Sequence, residues 1–133
     1  MLQTFPNNAT DSSRVVLLVE DNPHSRFMAE EFLKHSGYKV ISASRASEAL
    51  RILLGDRPID LIFSDIRLCE ELNGIELAEI AKKLYPEIKI LLTSSVSIND
   101  YLPDAQLGGL DFITKPFLLS NLAQRVNEIM KLN

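Results

Sequence analysis

A chain of 133 residues with 46% apolar and 24% charged side chains has the composition of an ordinary globular domain, long enough to bury a core without disulfide or metal staples. The formal charge of −4 argues against a general nucleic-acid binder, and the single cysteine, Cys69, excludes an internal disulfide or a multi-cysteine metal site. No apolar run approaches the roughly 18 residues of a membrane span, and Met1–Arg14 lacks the basic start and apolar stretch of a secretory signal. A cytoplasmic location is the expectation.

Residues 1–13, rich in Asn, Thr, Ser and Asp, show no periodicity and read as a flexible N-terminal segment ahead of one domain over 14–133. The first strand is expected over 15–19. Pro23 then opens a helix to about Ser36, with Met28, Ala29, Phe32 and Leu33 facing inward and Gly37 capping its end in the left-handed conformation. A second strand over 38–43 leads to a helix carrying Ala46, Ala49, Leu50 and Leu53, which Gly55 is expected to end in the same way. The third strand spans 59–64. Asn73 caps the following helix, Leu77, Ile80, Ala81 and Leu84 form its inner face, and Pro86 stops it. The fourth strand, 88–93, is followed by a fourth helix near 98–107, in spite of Pro103 in its middle. The fifth strand is 110–114, and a last helix aligns Leu119, Leu122, Ala123, Val126, Ile129 and Met130 at helical spacing. Regular strand–helix alternation with short connections predicts an α/β fold, a five-stranded parallel doubly wound sheet with five helices.

Polar groups follow the apolar runs directly. Glu20 and Asp21 come after the first strand, Asp65 after the third, Thr93 and Ser94 at the end of the fourth, and Lys115 after the fifth. Open parallel sheets place their ligands at the carboxyl ends of the strands, so three carboxylates, a hydroxyl and an ammonium should converge at one edge. Crowded carboxylates repel unless a cation sits among them, and an oxygen-only donor set suits magnesium. Asp65 is then placed to act as a nucleophile toward a phosphoryl group.

The motifs Leu18-Val19-Glu20-Asp21-Asn22, Asp60–Leu68 with Asp65 at its centre, Asn73-Gly74-Ile75-Glu76-Leu77, Leu91-Leu92-Thr93-Ser94 and Lys115-Pro116-Phe117 occur in order and in register. Together they resemble the receiver domains of two-component response regulators, over roughly residues 14–131. The resemblance implies a flavodoxin-like strand order 2-1-3-4-5. It makes Asp65 the residue phosphorylated by a sensor histidine kinase or a phosphotransfer protein, with Mg2+ as cofactor. Asp21 would meet the metal directly, Glu20 through a water, and Asp65 and the backbone carbonyl of Arg67 would complete the protein ligands. Lys115 would hold the phosphoryl oxygens, and its bond to Pro116 would be cis. Alternation lets only one of Thr93 and Ser94 face the site, and the family spacing from Gly74 and Pro86 makes Ser94 the favoured switch hydroxyl, with Thr93 second. Phe112 would be the switch aromatic. A downstream protein is expected on the face of the fourth helix, fifth strand and fifth helix, with no direct nucleic-acid or membrane contact; a weak dimer is compatible with this.

Two features depart from the family pattern. Cys69 stands where a proline is usual, and one extra residue separates Asp65 from Gly74, which lengthens the Cys69–Leu72 loop. An aspartyl-phosphate phosphatase of the haloacid dehalogenase kind would need an Asp where Arg67 stands. A flavodoxin-like cofactor binder would need a Ser/Thr/Gly-rich loop after the first strand. A receiver-shaped module that no longer takes phosphate is the remaining alternative.

Overall fold

The computed structural model describes residues 14–68, 72–95 and 110–131. In chain order these form β1 (Val15–Val19), α1 (Pro23–His35), β2 (Lys39–Ala43), α2 (Ala46–Leu53), β3 (Leu61–Asp65), α3 (Gly74–Leu84), β4 (Lys89–Ser94), β5 (Asp111–Thr114) and α4 (Leu119–Lys131). The strands pair in parallel in the order β2-β1-β3-β4-β5, as expected. Four helices lie among the described residues. The helix expected near 98–107, the segment 1–13 and Cys69 lie outside them.

Each strand divides its side chains between two apolar layers, as a sheet covered on both faces requires. On one face Leu17, Val19, Ile62, Ile90 and Leu92 pack with Ala49 and Leu53 of α2 and Leu77, Ala78 and Ala81 of α3. On the other, Val16, Leu18, Leu61, Phe63 and Leu91 meet Ala29 and Leu33 of α1 and Leu122, Val126 and Ile129 of α4. Fully burying one such Leu or Ile side chain contributes about 1.5–3 kcal/mol. β3, the middle strand of the five, is buried along its whole length.

Local signals set the helix ends. The Asn22 Oδ1 accepts from Ser25 N at 2.9 Å, with Pro23 in the first turn. Asn73 and Glu76 form a reciprocal capping box at the start of α3. Tyr85, at φ −138° and ψ 88°, has left the helical region ahead of Pro86, as a following proline favours. Gly37 does adopt φ +102°. Gly55 does not: Leu54 N bonds Leu50 O and Gly55 N bonds Ile52 O, so these two carbonyls of the last turn of α2 are satisfied without a left-handed residue.

The inner faces differ from expectation at particular side chains. On α1, Ala29 and Leu33 are buried, but Met28 is 41% exposed because it borders an open cleft rather than the core. On α3, Ile75 and Ala78 are buried while Leu84 is exposed, because its packed stripe begins at the first turn, against β3.

Candidate functional site

The sheet ladder continues past the strand ends and fixes the main chain where the polar residues stand. Glu20 N donates to Ala43 O at 3.1 Å, Ile66 N to Thr93 O at 2.9 Å, and Lys115 N to Ser94 O at 2.9 Å. Asp65 and Ser94 are the last residues of β3 and β4 rather than the first beyond them. The positions of Glu20, Asp65, Ser94 and Lys115 are thus set by β pairing.

The side chains meet at this edge. Carboxylate oxygens of Glu20, Asp21 and Asp65 all lie within 4.8 Å of one another. Glu20 and Asp65 are buried and Asp21 is half-buried. The Lys115 Nζ donates to Asp65 Oδ2 at 2.8 Å and to Glu20 Oε1 at 3.4 Å. The Glu20 Oε2 accepts from Asn22 N at 3.0 Å. The donor set is oxygen-only and rich in charge, which fits a magnesium ion; the ammonium of Lys115 supplies positive charge to the same carboxylates. The Lys115–Pro116 peptide is cis.

Burial pushes the Glu20 carboxyl above its ordinary range. The Asn22 N–H pulls it down, the neighbouring Asp65 charge pushes it further up, and Lys115 opposes that rise. Burial pulls the Lys115 pKa down. Its hydrogen bond to Asp65, joined by the charges of Asp65 and Glu20, outweighs this and holds its pKa above the usual lysine value.

The two hydroxyl candidates take opposite faces of β4. Ser94 alternates with Leu92 on the face that Phe112 packs against, whereas Thr93 lies on the face of Leu91 and Ile113. The register pairs Thr93 with Asp65 and Ser94 with Thr114. Thr93 is 1% exposed and its Oγ1 has no hydrogen-bond partner among the described residues. Arg67 is exposed in the connection after β3.

Three contacts at the site carry no signal in the strand-end pattern. Gly74, the first residue of α3, lies so close to the nucleophile candidate that a Cβ there would sit 2.3 Å from the Asp65 carbonyl oxygen. The Arg26 Nη1 donates to the backbone carbonyl of Glu20 at 2.8 Å. Phe63 and Phe117 pack edge-to-face at 6.0 Å, on the wall of a cleft of about 610 Å³ that also touches Leu18, Glu20, Met28 and Lys115. A glycine at a helix start with no need of positive φ points to close backbone approach, so Gly74 was the one of these that could be found in advance.

Known proteins resemble the chain in sequence and in fold. Sensor kinase CckA of Brucella abortus (strain 2308) is 36% identical over 131 residues, 92% of this chain and 13% of that protein. The chain spans less than half the length of curated relatives such as these, 13% of CckA and 49% of the TorCAD operon regulator TorR of Escherichia coli O157:H7. The crystal structure of a response regulator receiver protein from Sinorhizobium medicae WSM419 superposes with a TM-score of 0.83 at 22% identity, covering 92% of this chain and 98% of that one. Response regulator protein TrrA from Thermotoga maritima, in complex with Mg(2+)-BeF, superposes with a TM-score of 0.74 at 26% identity, covering 87% and 98%. A family profile described as the response regulator receiver domain matches residues 16–127. With its acidic cluster, its lysine and its strand order all inside that stretch, the chain belongs to the receiver domains of two-component response regulators.

Proposed function

We propose that this receiver accepts a phosphoryl group on Asp65 from a sensor histidine kinase or a phosphotransfer protein, and that phosphorylation switches its binding to a downstream protein. The observation that carries this is the meeting of the Glu20, Asp21 and Asp65 carboxylates within 4.8 Å, with Lys115 held on Asp65 at 2.8 Å. In the transfer, a carboxylate oxygen of Asp65 forms a bond to phosphorus as the phosphohistidine N–P bond breaks, and the released imidazole takes up a proton. Asp21, Glu20, Asp65 and the Arg67 carbonyl would hold the metal, with Asp21 as the direct carboxylate ligand and Glu20 acting at one remove. Magnesium, when bound, neutralises charge on the transferring group. Lys115 offers its ammonium to the phosphoryl oxygens from a position already fixed by the Ser94 carbonyl. The same groups assist both phosphorylation and its reversal, so the domain acts on itself rather than on a substrate.

Ser94 is the hydroxyl we assign to the switch, because it shares a sheet face with Phe112. Its turn toward the new phosphoryl oxygens vacates space beside β5, and the Phe112 ring moves in. The surface built on β5 and α4, with the helix expected near 98–107, then changes for the partner. No described helix is long and apolar enough to cross a membrane.

The test is phosphorylation by acetyl phosphate. Asp65→Asn should abolish the label while leaving the fold intact, and undiminished label in that variant would move the acceptor elsewhere.

A further inference from the structure

Arg26 is outside the donor set, yet it holds the backbone that carries it. From α1 it reaches back six residues and donates through Nη1 to the carbonyl of Glu20 at 2.8 Å. On the other side of the same residue, Glu20 N donates to Ala43 O of β2. The peptide unit gripped by Arg26 is the one that joins Glu20 to Asp21, and the plane of that unit decides where the Asp21 carboxylate is presented. The start of α1 does not need this contact. Asn22 already caps the helix through Ser25 N, and Arg26 N already bonds Asn22 O at 2.9 Å. Arg26 is half-buried, which limits competition from water for the bond. A guanidinium stays charged and keeps its donors in a rigid fork, so it can fix a carbonyl without itself titrating.

We infer that Arg26 is a positioning residue for the magnesium site, clamping the Glu20–Asp21 peptide so that the two side chains reach the separation from Asp65 that one small ion requires. The inference rests on the metal-assisted phospho-acceptor reading above and adds to it a group that touches neither metal nor phosphate. Charge alone gives the opposite expectation. Removing a cation near three carboxylates should strengthen binding of Mg2+, so a loss of affinity on removing Arg26 can come only from lost positioning.

The experiment is calorimetric titration of the full unphosphorylated chain with Mg2+, for wild type, Arg26→Ala, Arg26→Met and Arg26→Lys, with acetyl phosphate labelling over the same Mg2+ range. Arg26→Ala should weaken Mg2+ binding about tenfold, the low end of what partners outside the ligand shell contribute. The Mg2+ concentration for half-maximal labelling should rise by the same factor, with the rate at saturating Mg2+ close to wild type. Arg26→Met keeps the apolar stem and should behave alike if the alanine variant fails to fold. Arg26→Lys retains a donor of similar reach and should recover most of the affinity. Unchanged or tighter Mg2+ binding in Arg26→Ala or Arg26→Met, with only a lower melting temperature, would overturn the inference. Failure of the wild type to bind Mg2+ or take label would instead overturn the reading on which it rests.

Discussion

Gly74→Ala puts the geometry around Asp65 to a direct test. A methyl group at this position would lie 2.3 Å from the Asp65 carbonyl oxygen, 2.9 Å from Ile66 Cα and 3.0 Å from the Asp65 carbonyl carbon. Relief to an ordinary contact of about 3.5 Å needs α3 and the end of β3 to part by roughly 1 Å. All three obstacles are backbone, so no side chain can swing aside, and the bond from Gly74 N to Ile66 O at 2.8 Å must stretch with them. Overpacking of this kind costs about 1–3 kcal/mol, from which the modest helix preference of alanine subtracts little at a first-turn position. For a chain of this size each kcal/mol lowers the melting temperature by roughly 3–5 °C. The effect on function should be larger, because a misplacement of about 1 Å at a reacting group can cost around a hundredfold in rate. Thermal melts by circular dichroism and the initial rate of acetyl phosphate labelling at saturating Mg2+ measure the two. Gly55→Ala is the control, since its Cβ would meet only the Ile52 carbonyl oxygen at 3.3 Å and the Arg51 carbonyl oxygen at 3.8 Å. A Gly74→Ala protein with wild-type melting and labelling, or a Gly55→Ala protein damaged as badly, would refute the argument.

Glu20→Gln should stabilise the metal-free protein near neutral pH. The folded-state pKa of Glu20 is raised, so the stability it contributes is present at acid pH and lost as pH rises through that value; the variant's advantage should therefore vanish in acid, and saturating Mg2+ should reverse the order. Lys115 has its pKa raised in the folded state, so its charge contributes stability throughout the range below its unfolded pKa. Lys115→Ala should cost roughly 1–3 kcal/mol in denaturant melts, partly restored by Mg2+, and a loss that Mg2+ cannot reduce would contradict the role of the ammonium as counter-charge. Thr93→Val removes a buried hydroxyl without a partner among the described residues and should raise stability by about 1 kcal/mol, while a loss would show that the hydroxyl is bonded in solution. Ser94→Ala should still take beryllofluoride but lose most of the amide shift at Phe112, and a full shift there would transfer the coupling to Thr93.

The polar edge of the sheet was legible because parallel strands announce themselves as apolar runs and their ends as the first polar residues after them. Glu20, Asp21, Asp65 and Lys115 could be assembled from that rule alone. Met28 and Leu84 were misplaced because helical spacing defines a stripe but not where a neighbouring element stops covering it. Gly55 was misread because a glycine after a helix signals an available left-handed cap, not a necessary one. Arg26 was invisible for a different reason: its contact is with a backbone carbonyl, which every residue has, so no pattern of side-chain types records it.

The burial of the strands has a mechanical consequence. β3 is enclosed along its whole length and flanked by β1 and β4, whereas β5 is a four-residue edge strand with side chains half-buried or exposed. Local opening is costly where apolar contacts and ladder bonds are dense and cheap where they are few. The sheet is therefore a spring of uneven stiffness, rigid under Asp65 and compliant at Phe112. Strain imposed on this sheet should therefore open β5 before it opens β3. Amide hydrogen exchange should fall off in that order, slowest along Leu61–Asp65 and fastest along Asp111–Thr114.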